Sequence, residues 1–128
     1  MFPKREIRIF AKNKLMGNFT VELLAEAVEF MDSLDAKTRD KIYYNIRKAQ
    51  STNDTELFKK LNDNIWEFRT FYNGKAYRLF SFWDTINSSK TIVIATHGIL
   101  KKTQKTPKKE INKAEEIRIG YLNNKYKK

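Results

Sequence analysis

The sequence predicts an α+β domain: an antiparallel sheet, made of an N-terminal strand and a three-strand meander, packed on an N-terminal helix pair and followed by a C-terminal helix. Three observations carry this expectation. Helical periodicity is confined to residues 20–50 and to the segment after Pro107. Between them, three runs rich in aromatic and β-branched residues follow one another with only short polar breaks. One break is Asn73-Gly74, the pair favoured by a type I′ hairpin turn because both central residues need positive φ. The expected order is β-α-α-β-β-β-α within a single domain over 1–128.

Taken in order, residues 5–10 (REIRIF) alternate, with Ile7 and Ile9 opposite Glu6, Arg8 and Phe10, as a half-buried strand does. Lys12 to Asn18 is a polar turn containing Gly17. From Thr20 the period becomes helical: Leu24, Ala27, Val28, Met31 and Leu34 recur at helical spacing, with Thr20 as N-cap and Glu22 in the first turn. Asp35 caps a second helix whose buried stripe is Ile42, Ile46 and Ala49, and the short turn between the two makes an antiparallel hairpin. Residues 57–61 (LFKKL) read as one helical turn.

The meander follows. Residues 64–72 place Ile65, Glu67, Arg69 and Phe71 on one parity, against Trp66, Phe68, Thr70 and Tyr72 on the other. Residues 75–84 make the second strand. Residues 90–97, after a turn at Asn87-Ser88-Ser89, make a third that ends at His97, before a turn at Gly98. Apolar residues on both parities of this third strand imply cover on both faces. Thr106 then caps a helix that has Pro107 at its first position and Ile111, Ala114, Ile117 and Tyr121 on its inner face. The basic tail from about 123 to 128 should fray.

Composition narrows the function. Lys and Arg number 26 against 15 Asp and Glu, for a net charge of +11. That excess favours a polyanionic partner such as nucleic acid or a ribosome, although lysine-rich surfaces also serve solubility alone. Cysteine is absent and histidine occurs once, which argues against disulfides and a structural zinc site. The N-terminus is too charged for a signal-peptide core, and no run approaches a membrane span. The expectation is a soluble, cytoplasmic protein without metal, cofactor or membrane partner.

The stretch Thr91–Glu110 (TIVIATHGILKKTQKTPKKE) brings His97, Lys101, Lys102 and Lys105 to one rim beside the meander. With Asn73-Gly74 as the central turn pair, Arg69 faces Arg78 across the hairpin. Like charges placed opposite cost stability unless an anion or a carboxylate lies between them. Glu67, on the same parity as Arg69, is one such carboxylate, and a phosphate is another possible occupant. The alternative is two surface arginines paired with Glu67 and Asp84. His97 has the pKa range for proton transfer at neutral pH, yet a lone histidine is more often structural. A lysine crowded by cations is pushed toward a usable base. Trp66, Tyr72, Tyr77, Phe80, Phe82 and Trp83 are mostly core, with one or two exposed rings available to stack on an unpaired base.

The combination IWEFR, YRLFSFW, HGILKKTQKTPKKEI and KAEEIR, over roughly residues 57–118, resembles the phage-derived, HigB-like branch of the RelE/ParE toxin superfamily. The resemblance implies the toxin of a type II toxin–antitoxin pair: a metal-independent endoribonuclease that cuts mRNA on the ribosome, with the RNA 2′-OH attacking the adjacent phosphate. By position it implies Arg69 and Arg78 as the phosphate-holding catalytic arginines, with His97 and Lys102 as proton-transfer candidates. Lys101, Lys105, Lys108 and Lys109 would hold RNA backbone. It also implies an antitoxin partner, of helix-turn-helix type, together with ribosome and mRNA. Tyr121 and Tyr126 are further acid candidates without a matching motif. Two other functions remain open: a ParE-like, non-hydrolytic inhibitor of DNA gyrase, and a non-enzymatic nucleic-acid-binding phage protein.

Overall fold

A six-stranded sheet organises the computed structural model, which describes residues 8–10, 19–52, 54–85, 92–102 and 105–126. Across the sheet the strands are β1 (Arg8–Phe10), β2 (Thr20–Leu23), β6 (Ile92–Lys101), β5 (Lys75–Trp83), β4 (Trp66–Tyr72) and β3 (Phe58–Lys60). Helices α1 (Ala25–Asp32) and α2 (Ala36–Ser51) lie on one face, and α3 (Lys108–Tyr126) lies on the other. The α+β class and the order of the helices, hairpin and meander match the sequence expectation.

The sheet, however, is mixed: β2 runs parallel to β6, while every other neighbouring pair is antiparallel. The helix expected from Thr20 therefore starts only at Ala25, and Thr20 does not cap it. Val21 and Leu23 are fully buried while Thr20 and Glu22 are half-buried, a period of two too short to stand out from the adjoining helical stripe. The edge of β6 decides the matter by pairing with residues 20–23, and the Leu24 N–H then donates to the Ala95 carbonyl at 3.0 Å.

A second correction concerns residues 57–61, which supply β3 instead of a helical turn. Phe58 alone anchors that edge strand, stacking on Phe68 at 4.3 Å and Trp66 at 4.7 Å, while Lys59 and Lys60 face solvent. Edge lysines of this kind discourage further strand pairing. β6 also continues past His97 to Lys101. Gly98 makes no turn there: a Cβ would sit 2.3 Å from the Phe30 ring of α1, so only glycine lets that ring lie on the strand. The C-terminal helix runs on through Tyr126, into the segment expected to fray. Residues 5–7, the loop 12–18, the turn 87–89, residues 90–91 and the last two lysines lie outside the described residues.

Other expectations hold in detail. Asn73 and Gly74 have φ of 54° and 76°, as a type I′ turn requires. Asp35 caps α2, accepting from the Thr38 N–H at 2.8 Å, and hydrogen bonding to Thr38 holds its carboxyl below the usual range. Arg39 of α2 donates to the Leu34 and Met31 carbonyls at the end of α1.

Alternation along β4, β5 and β6 divides the core in two. Phe68, Tyr77, Leu79, Val93 and Ala95 pack under α1 and α2. Phe80, Phe82 and Ile94 pack under Ala114 and Tyr121 of α3. Toward the Asn73-Gly74 turn the second face is left open, and the functional candidates gather there.

Candidate functional site

Strand register selects the side chains that share this uncovered surface. Arg69 pairs with Arg78, Phe71 with Ala76, Ala76 with Lys101, and Arg78 with Ile99. Directly opposed residues point to one side of a sheet, so Glu67, Arg69, Phe71, Arg78 and Lys101 share it. An open pocket of about 760 Å³ lies between them, walled by Arg69, Phe71, Lys75, Arg78, Lys101 and Lys102. The rigid mounting is the hairpin itself, with its turn fixed by Asn73 and Gly74.

Glu67 lies beneath the cations. It is 2% exposed, with Oε1 3.5 Å from Arg78 Nε and Oε2 3.7 Å from Arg69 Nε. These are ion-pair distances beyond hydrogen-bond length. Arg78 is itself 8% exposed, and although its Nη1 donates to the Tyr77 carbonyl at 3.1 Å, its buried Nε has no hydrogen-bond partner among the described residues. Burial lowers the pKa of Arg78, Glu67 opposes that shift, and Arg69 adds to it. Its guanidinium remains charged, because arginine starts so high. A buried, charged N–H donor whose carboxylate partner lies beyond hydrogen-bond length is under-satisfied, and an anion entering the pocket would relieve that cost.

Lys101 completes the set from β6. Burial pushes its pKa down, and the guanidinium of Arg78 pushes the same way. Lys101 therefore has the environment of a base, beside Lys102, which the resemblance implies as a proton-transfer candidate. Lys102 lines the same pocket from an exposed position. Lys105, Lys108 and Lys109 are exposed and lie outside the pocket wall. Thr106 is placed differently from expectation: its hydroxyl donates to Glu67 Oε1 at 3.2 Å, and the Pro107 carbonyl accepts the first bonds of α3. This ties the lysine loop to the floor of the pocket.

His97 is not brought to the arginines. It is 3% exposed, pairs with Phe80 and stacks on that ring at 4.9 Å. Four residues of strand separate it from Lys101, about 13 Å. Its Nε2 lies 3.0 Å from Glu110 Oε1 and its Nδ1 3.0 Å from Thr96 Oγ1. A carboxylate at Nε2 favours the tautomer with the proton there, donating to Glu110. Burial lowers the His97 pKa despite the opposing pull of Glu110. A neutral imidazole joining β6 to α3 is a structural arrangement. Tyr121 is likewise buried and donates to Asp84 Oδ2 at 2.8 Å. The side chain of Tyr126 lies outside the described residues.

Sequence reasoning missed three participants: Phe71, Lys75 and the hydroxyl of Thr106. Phe71 shares the parity of Glu67 and Arg69, and that was the available signal. Lys75 flanks the turn opposite Tyr72, so the hairpin register placed it as well. Among the described residues, no three His, Asp or Glu side chains gather where a metal ion could sit, and no helix is long and apolar enough to cross a membrane.

Comparison with known families finds that residues 29–118 match the family described as phage-derived protein Gp49-like (DUF891). The match spans α2, the whole meander and the lysine loop. No curated protein matches the chain.

Proposed function

Because the chain belongs to the phage-derived Gp49-like family, which is associated with toxin–antitoxin systems, we propose that it is the toxin of such a pair and acts as a ribosome-dependent mRNA endonuclease of the HigB-like, RelE/ParE kind. The observation that carries this reading is the pairing of Arg69 with Arg78 over Glu67, with Lys101 beside them and a buried Arg78 Nε that has no hydrogen-bond partner among the described residues. Opposed arginines with an unspent donor suit a phosphodiester that gains negative charge during reaction.

In this scheme Arg69 and Arg78 grip the non-bridging oxygens of the scissile phosphate. Lys101, in its neutral form, takes the proton from the ribose 2′-OH. The 2′-oxygen bonds to phosphorus, the bond to the 5′-oxygen breaks, and Lys102 at the pocket mouth protonates that leaving oxygen. The products are a 2′,3′-cyclic phosphate and a free 5′-hydroxyl. The remaining basic surface holds mRNA or ribosomal RNA, and an antitoxin neutralises the protein by covering the pocket.

The test is induced expression with mapping of mRNA 5′ ends, comparing wild type with Arg78→Ala. Growth arrest with codon-phased cuts is expected for wild type. Arg78→Ala should lose about 10²- to 10³-fold in cleavage rate while keeping most of its ribosome affinity. Arrest with intact mRNA and a DNA-damage response would instead indicate gyrase inhibition.

A further inference from the structure

Phe71 is 71% exposed, the highest value among the large apolar side chains of the described residues. The other five rings of β4 and the turn-proximal half of β5, from Trp66 to Phe80, are buried or half-buried. Folding therefore gains little from an aromatic at position 71, two residues from the turn on a strand that would accept a polar side chain. Its neighbours are cationic: Arg69 lies two residues away on the same face, and Lys75, Arg78, Lys101 and Lys102 wall the same pocket. Ala76, directly opposite, is too small to cover the ring. The buried Arg78 Nε, without a hydrogen-bond partner among the described residues, is a second, independent sign that a ligand completes this surface.

From this juxtaposition we infer that Phe71 is the stacking platform for an unpaired nucleobase of the RNA whose phosphate Arg69, Arg78 and Lys101 hold. The inference rests on the phosphate-binding role proposed above and adds the recognition of the base. Side chains two apart on a strand are about 6.6 Å apart, the scale of a single nucleotide. Charge complementarity favours RNA over an apolar protein segment, because five cations line the pocket that the ring shares. Among the described residues that wall the pocket, none is Asn, Gln, Asp, Glu, Ser or Thr. The contact that Phe71 offers is to the π-face, which every base possesses, so this part of the recognition is tolerant of sequence.

The experiment measures binding of the full-length protein to two labelled probes by anisotropy at low salt: a short single-stranded RNA and a ribose-phosphate oligomer of equal length without bases. Phe71→Ala should weaken RNA binding roughly 5- to 100-fold, leave the abasic probe unaffected, and preserve the salt slope. Phe71→Trp should restore RNA binding, whereas Phe71→Leu should not, and their melting curves should match wild type because the ring is exposed. If Phe71→Ala binds both probes as wild type does while Arg78→Ala weakens both, the stacking role is overturned and the phosphate site stands. Loss of protein-partner binding without loss of RNA binding would also overturn it, assigning the ring to that partner. If wild type binds neither probe, the phosphate reading fails and the stacking role fails with it.

Discussion

Neutralising Glu67 without changing its shape, as Glu67→Gln, should destabilise the protein and at the same time strengthen its attraction for anions. In the folded state this carboxylate is 2% exposed, 3.5 Å from one guanidinium nitrogen and 3.7 Å from another. At an effective dielectric near 20, each contact is worth about 4–5 kcal/mol of Coulomb attraction. Desolvation of the three groups cancels much of that, and Arg69, whose side chain is 26% exposed, is partly screened by solvent. Loss of the charge also leaves Arg69 and Arg78 opposed with nothing between them. The net cost should be about 2–3 kcal/mol, or a fall in melting temperature of roughly 6–12 °C. Inorganic phosphate should then restore more stability to the variant than to wild type, because binding to the folded state alone stabilises by mass action and the competing carboxylate is gone. Thermal melts of both proteins across a phosphate titration, with chloride at matched ionic strength as control, measure this. Equal phosphate responses in the two proteins would refute the idea that Glu67 occupies the place of an anion.

Three further outcomes are expected. Lys101→Arg should keep RNA affinity but lose the rise of cleavage rate with pH, since arginine cannot give up its proton; an unchanged pH–rate profile would remove Lys101 as base. His97 has a lowered folded-state pKa, so the unfolded chain binds more protons and stability falls as pH drops below the ordinary histidine value near 6.5. Glu110 and Lys113 of α3 and Glu26 and Glu29 of α1 line the cleft around it. Urea midpoints across this range should slope for wild type and be flatter for His97→Gln, with cleavage retained. Gly98→Ala should cost about 1–3 kcal/mol in urea unfolding through the 2.3 Å approach to Phe30, and Phe30→Ala in the same chain should relieve the added clash.

Local signals carried much of this molecule. Asn73-Gly74 specified a type I′ turn by its φ requirement, and the turn alone set the register that opposes Arg69 to Arg78. Asp35 announced the start of α2 because a short acceptor at that position satisfies an otherwise orphaned N–H. The meander and both helical stripes followed from period, and the cation set followed from placing those strands side by side. Where the reading went astray, the deciding partner lay far along the chain. Thr20–Leu23 is four residues with helical neighbours, and only the free edge of β6, some 70 residues on, makes it a parallel strand. Gly98 looked like a turn because sequence does not record that Phe30 crosses it.

The candidate site divides along the same line. Residue type and strand parity alone determined that Arg69, Arg78, Lys101 and Lys102 lie near one rim, because charge and register are properties of adjacent residues. Only the tertiary structure decided how they divide the work. Burial under α3 withdrew His97 from the rim and left Phe71 in solvent. Packing at the pocket floor set Glu67 beneath two arginines, and it placed Lys101 where desolvation lowers a lysine's pKa. Desolvation and unpaired donors depend on what surrounds a side chain in three dimensions, and the chain has to fold before either exists.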